Sequence, residues 1–271
     1  MDCENGFAWV QCCRCRTPYV REAPSSQQLG AFYDQYYDEA TPRIPPVVEL
    51  RVQEVVASFE QFRQSGRLLD VGFGSGTLLN AAKTAGWECW GTEVSSSAVA
   101  AADPAWHVHE GDLNDLQLPA DFDVICMVEV LEHVGDPRQQ IAAATAQLRP
   151  GGLLAGTTPN GRGLSARTLG LRWSAFSAPE HLQLFSRIGL RGALNAAGVR
   201  SVELVTSGVN PYELKNGIRR KPVTAATRVE SGYRLNASLE ASRGGRALRS
   251  GVNAALGLTR TGDSLKFRAV R

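Results

Sequence analysis

The chain lacks a long hydrophobic run: nothing in its 271 residues approaches the roughly 18 consecutive apolar residues that span a membrane. It also lacks the apolar core of a signal peptide, because its first 20 residues carry the charges of Asp2, Glu4, Arg14 and Arg16. No sign of charge dominates, since 29 Lys and Arg residues against 27 Asp and Glu residues leave a net charge of +2. These absences predict a cytoplasmic protein without a membrane span, and they give the whole molecule no electrostatic case for nucleic acid.

The charge is nevertheless unevenly distributed along the chain. Residues 211–271 contain 13 Lys or Arg and 4 Asp or Glu, a local +9, which leaves −7 for the first 210 residues. A basic segment attracts anionic ligands. It therefore indicates a docking site for an anionic partner or substrate, with Arg219, Arg220 and Lys221 as candidate contacts; a solvated surface is the alternative.

Cysteine is scarce beyond the N-terminus. Cys89 and Cys126 stand singly inside apolar runs and are predicted to be core residues. The other four lie within the first 15 residues, a distribution that forms no disulfide framework and indicates metal or redox chemistry instead. This cluster consists of Cys3, Cys12, Cys13 and Cys15.

After a Cys-rich segment at residues 1–24, short apolar runs alternate with longer amphipathic segments. Most intervals contain a predicted helix, so residues 25–271 are predicted to form an α/β domain with a largely parallel sheet. A basic, partly helical insertion is expected at about 207–263. The predicted strands are Arg67–Val71, Glu88–Glu93, Trp106–Glu110, Phe122–Val128, Leu153–Thr158, Ser201–Thr206 and Ser264–Val270.

Two of the predicted helices have well-marked ends. One begins at Pro46 and is stopped by Gly66. The other is capped by Asp136, continues through Leu148, and is ended by Pro150–Gly152 ahead of the next strand.

A glycine-rich loop follows the first predicted strand of the sheet. Gly72, Gly74 and Gly76 alternate with other residues in the sequence DVGFGSGT, directly before a helical run. Glycine permits a sharp turn and close approach of a ligand to the backbone. A dinucleotide fingerprint requires GxGxxG, whereas the third glycine here comes one residue early, so a nicotinamide dehydrogenase is disfavoured.

Two acidic residues follow the next two predicted strands. Glu93 lies 17 residues after Gly76 and is placed to accept hydrogen bonds from ribose hydroxyls. Asp112 follows the third strand, at the sheet edge where an adenine would lie. Three successive strand ends thus predict an adenosine site; the alternative is that Glu93 and Asp112 only cap helices.

The segments LLDVGFGSG, GTEVS, EGDLNDL, FDVICMVEVLEHVGDP, LRPGGLL and TTPN together resemble class I S-adenosylmethionine-dependent methyltransferases, over roughly residues 46–206. The resemblance implies a Rossmann-like, doubly wound sheet of seven strands, with SLKFRAVR as an antiparallel last strand. It also implies that the glycine loop lies under the methionine part of the cofactor, with Glu93 at the ribose and Asp112 at the adenine. The implied cofactor-binding residues are Asp70, Gly72, Phe73, Gly74, Gly76, Glu93, Val94, Asp112, Leu113 and Val128.

An ExxEH pattern follows the fourth predicted strand. Its spacing predicts that Glu129, Glu132 and His133 share one face of a helix. The pattern resembles that of quinone-precursor O-methyltransferases and small-RNA 2′-O-methyltransferases, in which it contributes to a divalent metal site. The later PEHL segment is similar to the same branch, and its histidine, His181, corresponds to the one that completes the metal site in the small-RNA enzymes.

These four side chains are the predicted catalytic group. A sulfonium methyl group is already activated, so the enzyme has to align the acceptor and handle its proton. Two carboxylates and two imidazoles suit Mg, Mn or Zn, and a bound cation would lower the pKa of a hydroxyl. Without metal, His181 or His133 is a candidate general base. A purely structural role, in which Glu132 or His133 pins the helix to a neighbouring loop, is the third interpretation.

The Cys-rich segment resembles the second half of a small zinc ribbon that precedes some methyltransferases of this branch, including deoxysugar-modifying enzymes. Cys12 and Cys15 form one CxxC pair, but the upstream pair is reduced to Cys3, and Arg16 replaces the customary glycine. A tetrahedral zinc site needs four ligands. Cys13 would have to be the fourth, so the alternatives are structural zinc and a degenerate, metal-free ribbon.

Together these features predict an S-adenosylmethionine-dependent methyltransferase that acts on a small molecule at oxygen. A sugar, a phenol or quinone-like compound, or a natural-product intermediate is the expected acceptor. Two alternatives stay open: a metal-dependent RNA 2′-O-methyltransferase, and a cofactor-binding partner protein without turnover. The −7 charge of the first 210 residues counts against RNA, and the intact glycine loop counts against a partner without turnover.

Overall fold

The N-terminal part of the chain forms a small antiparallel sheet. The computed structural model describes residues 3–4, 6–24, 46–219, 231, 239 and 242–271. Strands β1 (Cys3–Glu4), β2 (Phe7–Gln11) and β3 (Pro18–Val20) pair in the order β1-β2-β3, each antiparallel to the next. The Cys-rich segment is therefore a β-ribbon, with Cys12, Cys13 and Cys15 in the turn between β2 and β3.

The larger sheet has seven strands and is mostly parallel. In chain order they are β4 (Arg67–Val71), β5 (Glu88–Glu93), β6 (His107–Glu110), β7 (Phe122–Val128), β8 (Leu148–Pro159), β9 (Ser201–Ser207) and β10 (Ser264–Val270). The spatial order is β6-β5-β4-β7-β8-β10-β9. Strand β4 pairs in parallel with both β5 and β7, so the order reverses between β4 and β7. The predicted Rossmann-like α/β class is confirmed, and the reversal marks the point where such sheets bind ligands.

Eight α-helices and three 3-10 turns connect the strands in the described residues. The helices are α1 (Pro46–Ala57), α2 (Thr77–Thr84), α3 (Ser96–Ala100), α4 (Pro137–Gln147), α5 (Leu164–Leu169), α6 (Arg187–Ala196), α7 (Pro211–Ile218) and α8 (Arg243–Thr259). The 3-10 turns are Glu60–Phe62, Leu113–Asp115 and Gly170–Arg172. None of the described helices is long and apolar enough to cross a membrane.

Backbone contacts divide the chain into two compact units. The first consists of the described residues within Met1–Ala23, Thr158–Leu190 and Leu204–Lys266. The second consists of those within Pro24–Thr157, Arg191–Glu203 and Phe267–Arg271. The ribbon and the predicted insertion thus fall in the first unit, and the strands β4 to β7 fall in the second.

The core of the second unit lies under β4 and β7. Leu68 and Val124, from the middle of these strands, are fully buried together with Leu79 from α2. Cys89 and Cys126 are also buried there, which confirms their prediction as core residues. Since β4 and β7 are apolar on successive residues and buried on both faces, they form a rigid support for the loops that leave their carboxyl ends.

Strand β8 begins earlier than the sequence predicts. The predicted helix start is confirmed, because the Asp136 side chain accepts hydrogen bonds from the backbone of the first turn of α4. The predicted helix end at Leu148 is wrong, however, since α4 stops at Gln147 and Leu148 is the first residue of β8. The Gly151 N–H donates to the carbonyl of Arg271, and the Arg271 N–H donates to Gly152. This long-range pairing with the end of the chain holds the Pro150–Gly152 segment extended, which the local sequence does not reveal.

Helix α1 is shorter than predicted. It ends at Ala57, and the 3-10 turn Glu60–Phe62 follows before Gly66. The Ser58 hydroxyl donates to the carbonyl of Val55 at 2.6 Å and accepts from the Arg268 guanidinium at 2.9 Å. A serine that bonds back to the preceding turn competes with helix continuation, and this bond lies where α1 ends.

Candidate active site

The glycine loop joins β4 to α2 within the second unit. Gly72, Gly74 and Gly76 have φ values of 67°, 51° and 70°. The N–H of Gly72 donates to the carbonyl of Thr92 at 2.8 Å, which holds the start of the loop against β5. A Cβ on Gly76 would lie 2.3 Å from the Trp106 ring. This loop therefore needs glycine for its backbone conformation and, at Gly76, also for space.

Glu93 ties this loop to the end of β5. Its side chain is only 3% exposed. One carboxylate oxygen, Oε2, accepts from the Gly74 N–H at 2.9 Å. The other, Oε1, accepts from the N–H groups of Val94 at 2.8 Å and Ser95 at 3.1 Å. The predicted ribose-binding carboxylate is thus oriented by three backbone donors that fix its position at the carboxyl edge of the sheet.

Asp70 is a second buried acid beside Glu93. It lies in β4 and is 4% exposed. Burial, and then the negative charge of Glu93, raise the pKa of Asp70 to about 8. A cationic ligand nearby would favour the ionised form and lower this pKa, so the pair makes this part of the site receptive to a positive group.

Asp112 stands at the carboxyl end of β6. Its Oδ1 accepts from the backbone N–H and the side-chain amide of Asn114, both at 2.8 Å. It therefore caps the 3-10 turn Leu113–Asp115, and Leu113 is 1% exposed beneath it. The capping role that the sequence left as an alternative is present, and the bonds to Asn114 orient the carboxylate at the sheet edge.

Two apolar side chains are exposed at the carboxyl ends of β5 and β7, the strands on either side of β4. Val94, after β5, is 52% exposed, and Val128, the last residue of β7, is 44% exposed. Buried Phe73 packs edge-on against Trp106, with ring centroids 6.2 Å apart.

The structure places every predicted cofactor residue in the second unit, at the carboxyl end of β4, β5, β6 or β7. These residues are Asp70, Gly72, Phe73, Gly74, Gly76, Glu93, Val94, Asp112, Leu113 and Val128.

The ExxEH segment forms a turn, and the prediction that it lies on a helix is wrong. Glu129 has φ 54°, in the left-handed region that interrupts a right-handed helix. Its N–H donates to the Thr157 carbonyl at 2.9 Å, and its Oε1 accepts from the Thr157 hydroxyl at 2.6 Å. A single turn follows, closed by the His133 N–H on Val130, and α4 starts only at Pro137. Pairing with β8 therefore overrides the helical spacing.

Two of the three predicted residues in this turn come together. The Oε1 of Glu132 and the Nε2 of His133 are 4.0 Å apart. The Glu132 side chain is fully buried and that of His133 is 26% exposed. Glu129 is exposed and bonded to Thr157 instead. The turn thus presents a buried carboxylate with a partly exposed imidazole next to it.

His181 belongs to the first unit and is 7% exposed. Its Nδ1 lies 2.7 Å from the carbonyl oxygen of Ala175. Because a carbonyl oxygen only accepts, Nδ1 carries the proton, and in the neutral ring Nε2 holds the lone pair. This tautomer suits a general base or a metal ligand that acts through Nε2.

The ribbon is packed against the segment that carries His181. Trp9 is fully buried and meets Phe176 edge-on, with ring centroids 4.9 Å apart. The Val20 N–H donates to Leu182 at 2.8 Å, and the Leu184 N–H donates to Pro18 at 3.0 Å. Strand β3 therefore supports the chain directly after His181, a contact that patterns about 160 residues apart in the sequence do not reveal.

The turn of the ribbon has a regular hydrogen-bond pattern around Cys12. The Cys12 N–H donates to Thr17 at 3.0 Å, and the Arg16 N–H donates to Cys12 at 2.9 Å. Hydrogen bonds from the backbone of Cys15 and Arg14, and from the Cys15 side chain, lower the pKa of the Cys12 thiol. Arg16 has φ 65°, which explains why glycine is customary at this position.

The four-cysteine zinc site stays a prediction. The side chain of Cys3 lies outside the described residues, as do Arg220 and Lys221 of the basic segment, whereas Arg219 is exposed after α7. Among the described side chains, Cys12, Cys13 and Cys15 do not converge as a group of three ligands.

The fold and the carboxyl-edge site define the Rossmann-like class of class I S-adenosylmethionine-dependent methyltransferases. Residues 48–204 match the model of a methyltransferase domain family, and the chain belongs to that family. The solved S-adenosylmethionine-dependent methyltransferase from Archaeoglobus fulgidus has the same fold, with a TM-score of 0.58 and 16% identity over 88% of this chain and 100% of that one.

Two curated relatives are named ubiquinone biosynthesis O-methyltransferase. The one from Nitrobacter winogradskyi is 31% identical over 158 residues, which is 49% of this chain and 59% of that protein. The one from Methylococcus capsulatus is 30% identical over 172 residues, which is 54% of this chain and 68% of that protein. The chain thus spans 59% and 68% of the lengths of these relatives.

Proposed function

We propose that the protein transfers the methyl group of S-adenosylmethionine to a hydroxyl oxygen of a small phenol- or quinone-like acceptor. The observation that carries the proposal is the Glu93 carboxylate, held between the glycine loop and the end of β5 by three backbone N–H groups. Family membership and the names of the two curated relatives support the reaction and the acceptor class. An anionic acceptor, drawn to the basic residues 211–271, is a further part of the proposal.

The proposed cofactor site uses charge and shape at the strand ends. A carboxylate has about four lone-pair positions, so the three backbone donors leave Glu93 able to accept from a ribose hydroxyl. Asp112 lies at the adenine edge, and Val94 and Val128 supply apolar contact surface. Asp70 faces the positive charge of the methionine part.

The proposed chemistry at the acceptor requires few groups. The acceptor oxygen attacks the methyl carbon, the carbon–sulfur bond breaks, and the hydroxyl proton passes to a base. His181 is the first candidate, because the Ala175 carbonyl fixes the tautomer that carries the proton on Nδ1. Beside Glu132, His133 is the second candidate, since a neighbouring carboxylate stabilises the imidazolium that forms.

A divalent metal is compatible with the same residues. The donor set of carboxylates and imidazoles suits Mg, Mn or Zn. The proposed ligands are Glu132, His133 and His181, whereas Glu129 is exposed and bonded to Thr157 instead. Such a cation would lower the pKa of the acceptor hydroxyl.

Alanine substitution of single histidines tests this proposal. H133A and H181A are expected to bind S-adenosylmethionine with wild-type affinity by calorimetry. Their turnover on a catechol acceptor should fall by roughly 10²-fold or more, as is usual when a proton-transfer group is lost. H107A and H109A are the matched controls, because both imidazoles stack on Trp90 in the second unit, and they should retain turnover.

Each part of the proposal can fail separately. Absence of cofactor binding by the wild-type protein would remove the methyltransferase assignment. Normal turnover by both H133A and H181A would remove these residues from the mechanism and leave the assignment standing. Turnover unaffected by a chelator would remove the metal.

A further inference from the structure

The Asp112 carboxylate after β6 is held on one side by Asn114. Its Oδ1 accepts from the backbone N–H and from the side-chain amide of Asn114, both at 2.8 Å. A carboxylate oxygen has about two lone-pair positions, so these two donors use the capacity of Oδ1. The other oxygen, Oδ2, is therefore the one that a ligand with a hydrogen-bond donor would meet.

The side-chain amide of Asn114 is itself held by Gln140 of α4. Its Nδ2 group has two hydrogens, of which one is donated to Asp112 and the other to the Oε1 of Gln140. The Oδ1 of Asn114 is buried and has no hydrogen-bond partner among the described residues. The opposite orientation of the amide would place this oxygen against two acceptor oxygens. Asp112 and Gln140 together therefore fix the orientation of the amide.

Gln140 is a firm anchor for this chain of hydrogen bonds. It is 2% exposed, whereas its neighbour Gln139 on the same helix is exposed. The Gln140 N–H donates to the carbonyl of Asp136, the residue that caps the first turn of α4, at 3.1 Å. A side chain that is packed on all sides of a capped helix keeps one rotamer and can hold another side chain in place. The position of α4 is thus transmitted to the Asp112 carboxylate.

We propose that Gln140, acting through Asn114, is a positioning residue that sets the preference of the site for a purine with a 6-amino group. This role rests on the proposed cofactor function, in which Asp112 lies at the adenine. An ionised carboxylate only accepts hydrogen bonds, so a fixed Oδ2 favours the amino group of adenine, which donates. Hydrogen bonds to a charged acceptor are stronger than neutral ones, and they weaken steeply when their angle is poor.

Removal of the Gln140 oxygen has a consequence that depends on the ligand. One amide hydrogen of Asn114 then lacks its acceptor, and the side chain can rotate away from Asp112. The Oδ1 of Asp112 keeps the backbone N–H of Asn114, but the carboxylate turns more freely. Binding of adenine becomes weaker, because this freedom is lost again when the hydrogen bond forms. A purine without the amino group does not use the fixed oxygen, so its affinity stays the same.

Calorimetry with two thioether ligands tests this role. The probes are S-adenosylhomocysteine and its analogue with purine in place of adenine, which lacks only the 6-amino group. Q140M keeps a side chain of similar size but removes the acceptor, and N114A removes the amide but keeps the backbone N–H. Both variants should bind S-adenosylhomocysteine about 3- to 10-fold more weakly, the usual effect of one lost hydrogen bond, and the purine analogue with wild-type affinity. Q139M, the matched control, should bind both ligands as the wild type does.

Three outcomes would overturn the proposal while the cofactor site stands. These are equal weakening of both ligands, which a merely structural role would produce, unchanged affinity of Q140M and N114A for S-adenosylhomocysteine, and a wild type that binds the two ligands equally well. A wild type that binds neither ligand would remove the proposed cofactor site itself, and this result is recognised without any variant. If circular dichroism shows that Q140M does not fold, N114A decides the question, because Asn114 is only half-buried.

Discussion

The loop after β4 and the turn after β7 occupy equivalent places, at the carboxyl ends of adjacent buried strands in the second unit. In the loop after β4, every left-handed backbone position is a glycine. In the turn after β7, the left-handed position is Glu129, which is bonded to Thr157. The first conformation is encoded locally, whereas the second depends on a neighbouring strand. The proposed cofactor side of the site is therefore readable from sequence, and the proposed acceptor side is not.

The largest expected effect comes from Gly76, where both the backbone conformation and the available space require glycine. G76A meets the Trp106 ring at 2.3 Å, whereas a Cβ on Gly74 has no neighbour within 4 Å. Both variants strain a left-handed position, but only G76A also overpacks, which usually costs about 1–3 kcal/mol. Denaturant unfolding should therefore show G76A less stable than the matched control G74A by about that amount. If the two variants were equally stable, Trp106 would have moved aside for the added methyl group, and the predicted overpacking at Gly76 would be wrong.

An effect that is smaller per pH unit is expected from the buried acid beneath the glycine loop. The pKa of Asp70 is about 8 in the folded protein against 3.8 for an ordinary carboxyl. Between these values the folded protein retains a proton that the unfolded chain releases, so stability is full at acid pH and falls as the pH rises toward 8. The limiting slope is on the order of 1 kcal/mol per pH unit. D70N should remove this slope in unfolding measurements at several pH values; parallel curves for wild type and D70N would contradict it.

The smallest expected effect comes from Glu129, where tertiary structure imposes the conformation. A left-handed non-glycine residue costs about 1–2 kcal/mol, and the added entropy of a glycine in the unfolded chain offsets part of that. E129G should therefore gain less than about 1 kcal/mol of stability while losing turnover. Asp121, with φ 73° just ahead of β7, is the matched control.

D121G should gain similar stability and keep its turnover, because it lies at the opposite end of the same strand from the site. Thermal unfolding and a turnover assay on the two purified variants provide the comparison. Turnover retained by E129G would show that the strain at Glu129 serves only the fold.

The strands were predictable because each depends on a short apolar run, and β4, β5 and β7 have the predicted bounds. The helical face of Glu129, Glu132 and His133 was not predictable, because a spacing of three and four residues describes a helix only if the backbone is helical. Similarly, the sequence of Pro150–Gly152 predicts an interruption between a helix and a strand, whereas its pairing with Arg271 makes the segment part of β8. Each error occurs where a bond to a distant segment outweighs a local preference.

The sequence by itself determined the α/β class, the glycine loop and the two strand-end carboxylates, because each is encoded within a few consecutive residues. Only the tertiary structure decided that Glu129 leaves the helical path, which nitrogen of His181 carries the proton, and that the ribbon supports the His181 segment. These features depend on hydrogen bonds and packing between residues far apart in the chain, and such contacts form only when the backbone has folded.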